Sequence, residues 1–485
     1  MEYILNSYEP KAIFHYFEDI SRIPRGSGNE GAIAEFICEF ARARGLRYYK
    51  DEFFNVAVYK DATEGMEDLP PVMLQGHTDM VCEKNADTKH DFIVDPIKLV
   101  EKDGWLMADG TTLGGDDGVA VAIMLGILDS KDIPHPALEC LFTSQEESGL
   151  GGAENFDYSK LTAKKIINMD TELEGEAIAS CAGSMNTLFK LAPEYHAFDG
   201  KALRISVKGL AGGHSGTDID SGRLNSNIVM GRILAALYEE KEFNLVSISG
   251  GNKRNVIPRE CDAVISVRDR EKATAVILKL EADIRRELNP ADREFRVLVS
   301  KTGAKERMMS FKDTSKVISF LGLVPNGVIS MSQSKKGLVE TSSNLGVITF
   351  DDETGEIKFF VYTRSSVEPS MDSVYIRLKR LGKALSMDFE KIDRCPGWAF
   401  NANSDLQKLF LKAYREEFGE KDGFPRVEAI HAGLECGIII EKMGGGDAIA
   451  IGPTLHDIHT PKERLDLHSM ERTWRLVVKM LGMRE

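Results

Sequence analysis

The chain has 485 residues, beyond the size at which one hydrophobic core stops growing, so two domains are expected rather than one. With 42% hydrophobic and 28% charged residues and no low-complexity tract, it has the make-up of a folded globular protein, which excludes fibrous and disordered classes. A formal charge of −15 sets the average field against polyanions, so neither a nucleic acid nor an anionic membrane surface is expected as a partner.

From the amino end, residues 1–11 carry Glu2 and Glu9 and lack a basic start followed by an apolar stretch, so no secretory leader is expected. No uncharged apolar run is long enough to cross a membrane. Seven scattered cysteines without a CxxC pair argue for reduced thiols rather than a disulfide framework. Together these features point to the cytoplasm.

The spacing of Ile33, Phe36, Ile37 and Phe40 predicts a helix over 32–44. Short apolar runs at 71–75, 137–144 and 165–169, with a helical pattern at 119–128, predict an α/β layer fold with a mixed or parallel sheet. The style changes over 186–394: strand 203–207, helix 225–239, strands 244–248 and 261–267, helix 274–288 and strand 295–299 make a βαββαβ order. Helices near 316–321 and 373–385 and strands at 346–350 and 358–362 repeat it approximately. Two readings follow, a duplicated α+β insert or one larger lobe whose repeat is accidental. A strand at 448–451 and a helix at 469–481 return to the first style. The expected domains are therefore 1–185 with 395–485, around an insert of 186–394.

Several polar residues stand directly after the apolar runs. His77 follows 71–75, where open α/β sheets bind their ligands, and Asp79 is placed to orient its ring. Asp116 and Asp117 follow two glycines and precede a helix, so each is a candidate for helix capping or for metal. Glu146 and Glu147 come after the strand at 137–144; one could bind metal while its neighbour takes the proton of an attacking water. Asp170 ends the run 166–169, and His459 follows the last strand. Each has an ordinary alternative as a surface pair, cap or solvated charge. The recurrence of His, Asp, Glu, Asp and His after separate strands is what points to one convergent site.

These segments resemble the M20 metallopeptidases, and among them the Xaa-His and cytosol non-specific dipeptidases. The resemblance rests on GHTDMV at 76–81, TTLGGDDG at 111–118, SQEESG at 144–149, NMDTELEG at 168–175, KGLAGGHSG at 208–216, RNVIPRE at 254–260, HAGLECG at 431–437 and GPTLHDIHTP at 452–461. It implies a zinc-peptidase catalytic domain with an inserted lid, and two divalent cations bridged by Asp116. His77 and Asp170 would complete one site, Glu147 and His459 the other. It further implies Glu146 as general base, Asp79 as the orienting carboxylate, His214 polarising the scissile carbonyl and Arg364 holding the substrate's terminal carboxylate. Asn255 is a further candidate for that polar pocket. Two imidazoles and three carboxylates suit Zn²⁺ best, with Mn²⁺ or Co²⁺ as alternatives. A small peptide substrate and a homodimer are implied as well. Relatives commonly carry Asn where this chain has Asp117, which would either compete for metal or cap the helix. The competing functions are an N-acyl amino acid deacylase on the same scaffold and a non-catalytic metal-dependent binding protein, against which the unligated Glu146 argues.

Overall fold

The computed structural model describes residues 3–240, 243–303, 305–421 and 423–484; residues 1 and 2, which open the segment read for a leader, lie outside the described residues. The chain forms two compact units: Met1–Cys181, Phe400–Ala429 and Leu434–Glu485 make the first, Ala182–Ala399 and Ile430–Gly433 the second. Among the described residues no helix is long and apolar enough to cross a membrane, and all seven cysteines are free thiols.

In the first unit the main sheet runs Arg47–Lys50, Val56–Lys60, Leu138–Thr143, Val72–His77, Lys165–Asn168, Asp447–Ala450, Glu176–Cys181, Arg426–Ile430. The strands from Leu138–Thr143 to Asp447–Ala450 in this order are parallel to one another, and antiparallel strands flank them at Val56–Lys60 and Glu176–Cys181. Val72–His77 and Leu138–Thr143 are buried at every position, as parallel strands covered on both faces must be. The strand predicted at 71–75 in fact runs on through His77, which is its last residue.

The helix Gly115–Asp129 packs on Val72–His77 and on Lys11–Ser21. Its residues Val119 to Leu128 are all buried, so it is apolar all round, which explains why its sequence shows little amphipathic contrast. Close approach to the strand depends on Gly76: a Cβ there would stand 2.3 Å from the Ala120 Cβ. Parallel pairing puts the carboxyl ends of four strands on one edge, and the chain leaves that edge towards 79, 145–147, 170 and 452–463.

The sheet of the second unit runs Arg296–Lys301, Lys201–Lys208, Cys261–Val267, Phe243–Gly250, Val339–Phe350, Ile357–Ser365, Gly183–Leu191, Asp388–Cys395, with Gly327–Met331 also paired to Val339–Phe350. Numbered along the chain, its first four strands lie in the order 4-1-3-2. Its last four, read inward from Asp388–Cys395, do the same if Gly183–Leu191 is counted as strand 1. The βαββαβ repeat is therefore real, but the copies are not consecutive. One is threaded into the other, between the strand Gly183–Leu191 and the helix Phe311–Leu323. The single continuous sheet and single hydrophobic core merge the two alternatives drawn from the sequence.

Candidate metal centre

His77 is buried, with Nδ1 3.2 Å from the Asp79 carbonyl and 3.4 Å from Asp79 Oδ1. A ring whose Nδ1 faces oxygens keeps its proton there, which leaves Nε2 as the nitrogen that can give up a proton in favour of a metal ion. That Nε2 lies 3.0 Å from Asp116 Oδ1 and 3.9 Å from Asp170 Oδ1. Asp79, fully buried, also accepts the N–H groups of Glu146 and Glu147 at 3.0 and 3.2 Å and the Ser27 hydroxyl at 2.7 Å. It thereby ties the loop after one strand to the loop after its neighbour.

Asp116 stands at the mouth of the helix Gly115–Asp129 with φ −81° and ψ 107°, outside helical geometry. Gly114 before it has φ 70°, a turn conformation that favours glycine. The two Asp116 oxygens diverge: Oδ1 faces His77, and Oδ2 lies 3.1 Å from His459 Nε2. The same His459 nitrogen is 2.8 Å from Glu147 Oε1. Two triads result, His77–Asp116–Asp170 and Asp116–Glu147–His459, each with donor atoms within 4.8 Å of one another and sharing Asp116. Glu146 forms a further group with His77 and Glu147.

Electrostatics show what the cluster is built to receive. Burial, reinforced by the Asp116 charge, holds the Asp170 carboxyl well above the usual carboxylate range. Burial also pushes Glu146 up to about 8, with like charge from Glu435, Glu147 and Asp116 adding and His77 opposing. Hydrogen bonds to the Asp116 and Glu147 carboxylates raise His459 to about 10. Burial disfavours charge on His77, yet Asp116, Asp79 and Asp170 together hold it well above its ordinary value. Carboxylates packed this closely call for positive charge among them, and imidazole nitrogens with carboxylate oxygens are the donors that divalent cations take. The donor set fits such ions.

In the second unit His214 and Arg364 come together. Arg364, at the end of the strand Ile357–Ser365, donates from Nη2 to His214 Nε2 at 3.0 Å. Burial and the Arg364 charge push His214 below its ordinary value. Asn255 is exposed and joins through its carbonyl, which accepts the Ser215 N–H at 2.9 Å. His431, a member of HAGLECG to which no role attached in the sequence, places Nε2 2.7 Å from the Ser342 hydroxyl, and burial, with Arg364 and His214 adding, lowers it to about 3.

Sequence reasoning also missed a buried polar layer beneath the triads. The Gln75 amide donates to Glu435 Oε2 at 2.5 Å and to Thr143 Oγ1 at 3.1 Å, and the Thr143 hydroxyl donates to the same Glu435 oxygen at 2.7 Å. The Asn168 amide donates to Gln75 Oε1 at 2.7 Å, while Asn168 Oδ1 accepts the Asp170 N–H at 3.2 Å. All four side chains are fully buried. The available signal was a glutamine inside the apolar run that leads to His77, since a polar residue in a strand buried on both faces needs partners.

The two Asp117 oxygens are engaged elsewhere: Oδ1 accepts the Ala120 N–H at 3.3 Å, as a helix cap does, and Oδ2 accepts the His77 N–H at 3.2 Å. Burial, with the Asp170 charge adding, pushes its carboxyl well above the usual range.

Residues 73–482 match the model of peptidase family M20/M25/M40. Over 481 residues the chain is 35% identical to the cytosol non-specific dipeptidase of Escherichia coli (strain K12), covering 98% of each protein. The solved structure of the aminoacylhistidine dipeptidase from Vibrio alginolyticus superposes with a TM-score of 0.91 at 33% identity, covering 98% of this chain and 97% of that one. The aminopeptidase PepT of Bacillus cereus ATCC 10987 shares the fold, with a TM-score of 0.55 at 16% identity and coverage of 97% and 98%.

The Asp117 carboxyl is engaged by backbone N–H groups rather than turned towards the triads, and an amide of the same shape fills that place. Asp117→Asn is therefore expected to keep the metal stoichiometry and to change metal affinity by no more than about threefold. Loss of one bound ion per chain on metal analysis would instead place Asp117 among the ligands.

Proposed function

The chain belongs to peptidase family M20/M25/M40, and on that premise we propose that it is a metal-dependent dipeptidase that hydrolyses unblocked dipeptides, Xaa-His dipeptides among them. The observation that carries this reading is the pair of donor triads sharing Asp116 with the Glu146 carboxyl beside them. The similarity to two dipeptidases over nearly the whole chain supports the substrate class. We assign His77 and Asp170 to one cation, Glu147 and His459 to a second, and Asp116 to both. Zn²⁺ matches this donor set best, with Mn²⁺ or Co²⁺ as alternatives.

Divalent cations held there supply Lewis acidity towards a substrate carbonyl and an attacking water. Glu146 takes the proton of that water and passes it to the leaving amine. Asp79 keeps His77 in the tautomer whose Nε2 is free to donate its lone pair. We read residues 186–394 as a lid that excludes water and limits substrate length. Within it, Arg364 binds the substrate's terminal carboxylate, His214 polarises the scissile carbonyl, and Asn255 belongs to the same polar pocket. His214 and Arg364 share a hydrogen bond, so recruitment of Arg364 by a carboxylate changes what His214 can bind. We place the protein in the cytoplasm as a homodimer; free thiols and the cytosolic relative support the location.

Metal analysis with a hydrolysis panel tests the function. Free dipeptides, including Xaa-His, should be cut with two ions bound, and faster turnover of N-acyl amino acids would replace the reading with a deacylase. Glu146→Ala should lower kcat by on the order of 10²- to 10⁴-fold with metal content unchanged; substantial residual hydrolysis removes it as the base. Arg364→Ala should raise KM roughly 10- to 100-fold for substrates with a free carboxyl terminus, leaving kcat nearly unchanged. Equal cleavage of amidated and free dipeptides by the native protein would contradict that role.

A further inference from the structure

Two buried charged residues outside the triads grip the turn that carries Asp116. Glu463, shortly after His459 in the chain, is 3% exposed, and its carboxylate accepts four successive backbone N–H groups. Oε2 takes Leu113 and Gly114 at 2.8 and 3.2 Å, and Oε1 takes Gly115 and Asp116 at 2.8 and 3.4 Å. Arg25 is 2% exposed and reaches the same turn through Nη2, which donates to the Gly114 carbonyl. Its Nη1 donates to the carbonyls of Thr78 at 2.9 Å and Asp79 at 3.1 Å, in the loop that follows His77.

The glycines of TTLGGDDG fit this arrangement. A Cβ at Gly114 or at Gly118 would stand 2.6 Å from Arg25 Nη2, and one at Gly115 would stand 3.3 Å from Glu463 Oε1 and 2.7 Å from Leu455 Cδ2. Turn formation alone accounts for Gly114, whose φ is 70°, but not for Gly118, which lies at the start of the regular helix. The glycine run makes room for the two charged groups.

Through these contacts one turn is tied to two other ligand-bearing segments, the His77 loop by Arg25 and the His459 loop by Glu463. Asp116 must offer one oxygen to each triad, so a small rotation of its backbone misplaces both donors together. Four N–H groups converging on one carboxylate form a strong anion nest that resists such rotation. We propose that Arg25 and Glu463 are positioning residues that clamp the Asp116 turn and thereby set the geometry, and so the affinity, of the cation site. The inference rests on the reading of the triads as that site.

A buried carboxylate can also serve stability alone, and Glu139 provides the control. It is 6% exposed, lies in the strand Leu138–Thr143 near the amino end, and accepts the N–H groups of Thr162 and Ala163 at 2.9 and 3.0 Å. The test strips metal from the full-length native protein, Glu463→Gln, Arg25→Met, Arg25→Lys and Glu139→Gln. Each is then titrated with Co²⁺ against a competing chelator, with the visible Co²⁺ spectrum and the melting temperature of the stripped protein recorded. Glu463→Gln and Arg25→Met should bind Co²⁺ at least about tenfold more weakly with an altered spectrum, the scale expected when support behind a metal ligand is lost. Arg25→Lys should recover part of the loss, and Glu139→Gln should match the native affinity whatever its melting temperature. Native affinity in Glu463→Gln, or an equal loss in Glu139→Gln, overturns the clamp while leaving the site itself in place. If Glu463→Gln does not fold, Arg25→Met set against Arg25→Lys and Glu139→Gln decides in the same way. Absence of Co²⁺ binding by the native protein would overturn the site and the clamp together.

Discussion

Carboxylates within a few ångströms of one another repel, and the cluster around Asp116 exists because parallel strand pairing holds its members on one edge. Val72–His77, Leu138–Thr143, Lys165–Asn168 and Asp447–Ala450 all run the same way, so the chain leaves each of them at the same end of the sheet. An antiparallel arrangement would send alternate exits to opposite ends and scatter the donors. Burial, with like charge adding, holds the Asp170 and Glu146 carboxyls up, and the surrounding carboxylates hold the two imidazoles above their ordinary range.

Holding such a cluster still requires partners behind it, and the first unit supplies them in layers. Asp79 joins the His77 loop to the 146–147 backbone. One step lower, Gln75, Thr143, Asn168 and Glu435 hydrogen-bond across three strands with every side chain buried. An unpaired polar group at that depth costs about 1–3 kcal/mol, so this network specifies strand register as well as stability. It also ends on the Asp170 N–H, carrying the support up to a donor residue.

The second unit shows a different economy of chain. Two 4-1-3-2 sheets share one surface, and the strand that completes the later copy precedes the earlier one. Threading one copy into the other lets strands Phe243–Gly250 and Val339–Phe350 meet at the centre, and a single hydrophobic core runs beneath both. His214 from one copy and Arg364 from the other then lie in hydrogen-bond contact, an arrangement that depends on both copies.

Much of this was legible in local pattern. Apolar runs of strand length, each followed by a polar residue, marked the neighbourhoods of His77, Glu146, Glu147 and Asp170, because burial on both faces writes itself directly into sequence. The helix expected at 119–128 was readable as an apolar run and the βαββαβ order from periodicity, since both report local geometry. What stayed hidden depends on contacts between distant segments. Asp116 meets His459, more than 300 positions away, while Asp117 meets backbone N–H groups, a difference that no local pattern carries. Glu463 and Arg25 read as ordinary charges, and the strand Gly183–Leu191 gave no sign of which copy it completes. Sequence alone determined which residue types stand at the strand ends; only tertiary pairing decided which of them face one another, because hydrogen-bond partners across a sheet carry no local periodic signature.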